Sequence, residues 1–200
     1  MVTEPATEKG RATRQALLAA AEEVFGEGSY ESASIAEITR RAGVAQGTFY
    51  LYFEDKRSAF VELVQQLNHD LRKAIAVAID GIDDRLERER VGFATFFEYV
   101  SRHVPLYRIV RESQVVAPEM YLWHYRTLAE GYVEGLEEAQ KAGQITSDIS
   151  ADTLAWILMG IAELVGGRWV LFSNQPPPPE VLDEVMDFIS RALRPQENGR

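Results

Sequence analysis

Between residues 34 and 57 the chain reads SIAEITRRAGVAQGTFYLYFEDKR, and its hydrogen-bonding side chains gather in the second half. Gln46, Thr48, Tyr50 and Tyr52 fall on the polar side of a short helix, while Phe49 and Phe53, four apart, face inward. Amide and hydroxyl groups presented together on one helix are suited to base edges and phosphate oxygens. Such a helix needs a partner to hold it. Ser34 can cap a preceding helix in which Ile35 and Ile38 share one face and Ala42 continues it. Gly43 supplies the conformational freedom of a sharp turn, and Val44 can plug the angle between the two helices. Two short helices joined through a glycine turn make a helix-turn-helix, whose second helix enters the DNA major groove. The chemistry expected here is recognition of duplex DNA.

The rest of the chain has helical periodicity almost throughout after residue 10. A first helix over 11–26 buries Leu17, Leu18, Ala21, Val24 and Phe25, with Gly26 and Gly28 ending it. A long helix from about Asp55 to Ile79 carries Phe60, Leu63, Val64, Leu67 and Leu71 at spacings of three and four. It is long enough, at about 1.5 Å per residue, to connect two domains. Further helices are expected over 83–103, 105–114, 118–142, 151–172 and 180–193, punctuated by Gly81, Pro105, Pro118, Gly143 and the prolines 176–179. The expected fold is all-α, with about nine helices. Its domains are a DNA-binding head over 1–57, with a disordered tail at 1–8, and a second helical domain over 58–194. A second disordered tail is expected at 195–200.

Composition narrows the function. The net charge of −10 has the wrong sign for indiscriminate coating of nucleic acid. Residues 1–57 contain seven basic and nine acidic side chains, a net of −2, which leaves 14 basic and 22 acidic beyond them, a net of −8. Positive charge is local, so recognition must rely on docking geometry. There are no cysteines, which removes disulfides, thiol redox sensing and cysteine zinc sites. His69, His103 and His124 have no ligand spacing, so no metal and no cofactor is expected. No apolar run reaches the ~18 residues of a membrane span, so a cytoplasmic protein with no membrane partner is the expectation.

Residues 11–57 resemble the DNA-binding domain of the TetR family of bacterial one-component transcriptional regulators. The resemblance lies in AEEVFGEG at 21–28, Ile35-Ala36-Glu37-Ile38, Ala42-Gly43-Val44, the run Gly47-Thr48-Phe49-Tyr50 with Tyr52-Phe53, and Asp55-Lys56. It covers about the first quarter of the chain. The resemblance implies that Gln46 reads a base, that Thr48 bonds a phosphate or touches a thymine methyl, and that Tyr50 and Tyr52 bond phosphates. It implies that Lys56 pairs with phosphate at the start of the fourth helix, a role Ser34 could share at the second. Leu51 stands where the family often has a larger or polar residue, so any readout by it is apolar. Lys9, Arg11 and Arg14 could form an arm near DNA, and Arg40 or Arg41 could touch phosphate. One helix-turn-helix buries little surface, so a homodimer on an operator of two half-sites is expected.

The helix at 151–172 is apolar around more than one face, so it must bury two sides, one of them against a second subunit. Trp156, Gly160, Glu163, Gly167, Val185 and Ile189 are the candidate dimer residues. The resemblance implies the same, through a four-helix bundle of the last two helices. The middle region is rich in aromatics, most of them core. An effector pocket there would draw on Phe93, Phe97, Tyr121, Tyr125 and Trp156, with Arg102, Arg108 and Arg111 as polar groups. Arg168, in an apolar helix, needs an anionic partner such as Glu163 or the other subunit. The basic cluster favours an apolar effector with an anionic group, such as an acyl-CoA or lipophilic acid. A cationic aromatic drug is the alternative, with Glu112, Glu119 and Tyr121 as lining.

Two rival classes stand against a ligand-responsive repressor, whose repressing sense follows the family's common mode. An enzyme is disfavoured because the chain has no phosphate-cradling glycine loop, no His–carboxylate spacing and no nucleophile setting. A helical lipid carrier would explain an apolar pocket but would leave the polar face at 46–52 without purpose.

Overall fold

The computed structural model describes residues 7–173 and 175–195. Among the described residues every regular element is helical: α1 (Glu8–Glu27), α2 (Ile35–Arg41), α3 (Gln46–Phe49), α4 (Lys56–Ile79) and α5 (Arg85–Arg102). They continue with α6 (Pro105–Val116), α7 (Pro118–Lys141), α8 (Ala151–Gly167), a π-helical turn (Arg168–Phe172) and α9 (Pro179–Ala192). The all-α expectation and the number of helices hold.

The chain folds as two compact units. One comprises the chain up to His69 together with Val104–His124; the other comprises Asp70–His103 and the chain from Tyr125 onward. Helix α6 and the first half of α4 therefore pack with the head, beyond the residue 57 at which a functional boundary was expected.

In the first unit, α1 starts three residues earlier than its apolar pattern implied, because Thr7 caps it: the Thr7 side chain accepts the Gly10 N–H at 3.1 Å. The expected N-terminal tail thus loses Thr7 and Glu8 to the helix; its first six residues, and 196–200 of the C-terminal one, lie outside the described residues. Leu17, Leu18, Phe25, Phe60, Leu63 and Ile109 are buried in this unit. The Phe25 and Phe60 rings meet edge-on at 5.2 Å, a favoured aromatic geometry. Gly26 does not end α1, contrary to expectation. It lies inside the helix, where an added Cβ would stand 2.3 Å from the Pro105 Cβ, so glycine is what lets α6 approach.

In the second unit a core forms around Phe93, Phe97, Leu136, Leu154, Leu158 and Ile189. A buried polar group sits beside it: Glu89 accepts from the Arg85 guanidinium and from the Tyr132 hydroxyl, with Arg85 stacked 5.4 Å over the Tyr132 ring. The charges are buried but paired, as burial demands. One stretch, Ala151–Phe172, does reach the length and mean hydropathy (1.5) of a membrane span. Counting apolar runs missed it because Glu163 and Arg168 interrupt the run without lowering the average enough. Ala151, Leu154, Ala155 and Leu158 from this helix are buried in the unit's core.

Candidate nucleic-acid interface

The helix-turn-helix is built from local bonds that its sequence dictates. The Ser34 hydroxyl oxygen accepts the Glu37 N–H at 3.1 Å and starts α2. At the other end Gly43 takes a φ of +68°, Val44 N–H bonds Thr39 C=O at 3.0 Å, and Gly43 N–H bonds Arg40 C=O at 3.2 Å. That pair of bonds is the Schellman motif, with glycine at the one position that needs a left-handed backbone. Phe49 and Phe53 are buried with rings 5.2 Å apart, anchoring the second helix. The opposite side is open. Gln46, Gly47, Tyr50 and Leu51 are exposed, Leu51 at 69%, and Thr48 and Tyr52 are half-buried.

The charges around this face are mostly committed. Lys56 Nζ donates to the Tyr30 carbonyl at 2.7 Å and the Ala33 carbonyl at 2.8 Å, and lies 4.4 Å over the Tyr30 ring. Two of its three ammonium hydrogens thus hold the loop that leads into α2. Arg41 joins Glu37 at 2.8 Å and Glu27 at 2.5 Å, and Arg40 joins Glu37 at 2.6 Å. Hydrogen bonds from Arg40 and then Arg41 push the Glu37 carboxyl down to about 2. Arg14 pairs with Glu62 and lies 5.7 Å over the Phe53 ring. Lys9, Arg11 and Arg14 all belong to α1, so they do not form an extended arm.

The outer face of α8 and α9 was legible only in part. Trp156 and Ile157 are each 45% exposed, Leu164 77%, and Phe188 60%. Gly160 lies in the same helical phase, with nothing within 4 Å of an added Cβ. Glu163 and Val185 are half-buried. Ile189 and Gly167 are correctly placed in their helices but buried within their own chain, so neither presents a side to a partner. Leu164 is one of the apolar residues that make its helix wide in hydrophobicity but was not among the candidate dimer residues, and Phe188 was not singled out. Their signal was phase: they fall on the side of their helices away from the buried positions 154, 155 and 158, and 186 and 189.

Residues 17–63 match the family described as "Bacterial regulatory proteins, tetR family". The chain is 27% identical over 194 residues to the uncharacterised HTH-type transcriptional regulator YdgC of Bacillus subtilis, covering 95% of this chain and 97% of that one. It is 28% identical over 179 residues to the HTH-type transcriptional repressor BepR of Brucella suis, covering 78% of each. In fold it matches the fatty acid degradation regulator FadR of Bacillus halodurans, with a TM-score of 0.83 and 19% identity over 96% of this chain and 99% of that one. It also matches FadR of Bacillus subtilis, solved in complex with stearoyl-CoA, with a TM-score of 0.79 and 18% identity over 90% of this chain and 99% of that one. The head of this chain, over residues 17–63, is similar to the DNA-binding domain of the TetR family. The chain is a transcriptional regulator with a DNA-binding helix-turn-helix head.

The residues expected to bind an effector are divided between the two units. Phe93 and Phe97 are core of the second unit, their rings 6.0 Å apart. Arg102, in that unit, is exposed and paired with Glu98 at 2.5 Å. Arg108, Arg111 and Tyr121 belong to the first unit. There Arg108 donates to the Gly26 carbonyl at 2.6 Å, near the negative end of α1, and Arg111 is exposed. Glu112, weighed as pocket lining, accepts the Tyr30 N–H through both carboxylate oxygens at 3.0 and 2.9 Å. Three predicted residues do meet: the Tyr125 hydroxyl donates to Glu163 at 2.8 Å, and the Tyr125 and Trp156 rings lie 6.4 Å apart. Arg168 is exposed and lies 5.3 Å over the Trp169 ring, so it needs no buried anion. A groove of about 340 Å³, lined by Asp84, Glu87, Arg90, Asp183, Asp187 and their neighbours, contains none of the expected effector residues.

Proposed function

We propose that this regulator binds an operator of two half-sites as a homodimer and leaves it when a small apolar or amphipathic effector binds, acting as a repressor. The observation that carries the reading is the rigidly anchored face of α3, where Gln46, Tyr50 and Leu51 stand exposed above buried Phe49 and Phe53. In this reading Gln46 reads a base, and Thr48, Tyr50, Tyr52 and Ser34 contact phosphates. Lys56 holds the α2 entry and offers its remaining hydrogen to phosphate. The functional division is a DNA-binding head over 1–57 and an effector and dimer domain over 58–194. The dimer forms through the α8 and α9 faces that carry Trp156, Gly160, Leu164 and Phe188, whose exposure in a single chain is the support. Mobility shift on the DNA upstream of the gene tests the reading: salt-sensitive, sequence-selective binding is expected. Its absence sinks the proposal.

For the effector, an acyl-CoA or lipophilic acid is supported by the likeness in fold to a regulator solved with stearoyl-CoA. A cationic aromatic effector is the second reading, favoured by the carboxylate of Glu163 beside the Tyr125 and Trp156 rings. A thermal-shift series with acyl-CoAs and cationic dyes separates the two, since only a ligand that binds the native state raises Tm.

A further inference from the structure

Gly47 and Leu51 have no explanation inside the chain. Gly47 is exposed, is absent from the glycines with positive φ, and has nothing within 4 Å of an added Cβ. Alanine would be the better helix former there. Neither backbone conformation nor internal packing asks for glycine, which leaves the approach of something outside the chain. Leu51 follows four residues later. Leu51 lies just past the Tyr50 cap of α3, in a turn closed by Leu51 N–H on the Thr48 carbonyl at 3.2 Å, with Tyr50 still at φ −71°, ψ −8°. The turn follows the helix closely enough that the exposed Leu51 side chain stands about one turn past the bare Gly47 backbone. The result is a notch with an apolar wall, open to solvent, on the same exposed face as Gln46 and Tyr50.

Only one apolar group projects from base-pair edges into the DNA major groove, the C5-methyl of thymine. We propose that the Gly47–Leu51 notch seats the 5-methyl group of one thymine in each operator half-site. Leu51 supplies the contact and Gly47 supplies the room. The proposal rests on the DNA-binding reading above and adds to it which base is read and by what chemistry.

The test uses the full chain and duplexes enriched by it from a randomised pool. Each thymine of the enriched duplex is replaced in turn by deoxyuridine, which removes the methyl and nothing else. At fixed salt, one position per half-site should lose about fourfold in affinity, and both together about fifteenfold, the loss of one buried methyl each. Leu51→Ala should bind thymine and uracil duplexes equally. Gly47→Ala should weaken the thymine duplex at least as much, with Tm unchanged or raised, which separates lost room from lost folding. Indifference to every methyl, or an undiminished uracil penalty in Leu51→Ala, overturns the proposal while leaving DNA binding intact. A pool from which no sequence is enriched overturns both.

Discussion

Single side chains in the head divide between those that hold it and those proposed to read with it. Lys56 holds: its removal leaves the Tyr30 and Ala33 carbonyls without a charged donor, and hydrogen bonds to charged groups contribute about 1.5–3 kcal/mol. Lys56→Ala should therefore lower stability by about 2 kcal/mol in urea unfolding, whereas Tyr50→Phe should leave stability unchanged and weaken all duplexes alike. Gln46→Ala should instead relax preference at one position per half-site. His124 makes a further residue-scale prediction. It is buried beside Asn68, whose amide donates to both its Nδ1 and its carbonyl at 3.1 Å, and burial depresses its pKa from 6.5 to about 4. The unfolded chain therefore takes up a proton that the native one refuses between pH 6.5 and 4. Stability from this group is full above 6.5 and falls by about 3 kcal/mol toward pH 4. Glu37 acts later in the same direction: its carboxyl is depressed to about 2, so its contribution persists to about pH 4.5 and fades toward 2. His124→Gln should flatten the upper part of a pH–Tm curve and leave the lower part.

At the scale of elements, the contact that matters most for the head is α6 against the end of α1. Pro105 fits against bare Gly26, Arg108 donates to the Gly26 carbonyl, and Glu112 accepts the Tyr30 N–H. Gly26→Ala places a methyl where Pro105 already stands, so the helices must part. A loss of about 1–3 kcal/mol is expected, read as a lower urea midpoint. Unchanged stability would mean the two helices are free to slide. Nothing in the sequence near residue 26 announces residue 105; the glycine looked like a helix terminus because a glycine near the end of an apolar pattern usually is one. By contrast, α2, its Schellman turn and α3 were legible, since Ser34, Gly43, Phe49 and Phe53 act through bonds within a few residues. The face of α8 was half legible: periodicity showed apolar residues on two sides, but only packing showed which side was taken.

For the whole molecule, the predicted assembly follows from the side left over. Leu164 and Phe188 stand 77% and 60% exposed in the single chain. If they meet a second copy, Leu164→Glu with Phe188→Glu should yield monomers by light scattering, keep helical content, and lose DNA affinity by well over tenfold as the second half-site contact disappears. A variant that remains dimeric would place the interface elsewhere. The sequence by itself determined the all-helical fold, the helix-turn-helix and which residues of its second helix stand exposed. These depend on caps, turns and periodicity, which act over a few positions. Only the tertiary structure decided that Arg108 and Glu112 serve the head, that Ile189 is internal, and that Gly26 makes room for Pro105. Those roles are contacts between residues far apart in the chain, and side-chain chemistry fixes what a residue can bond but not which partner the fold brings to it.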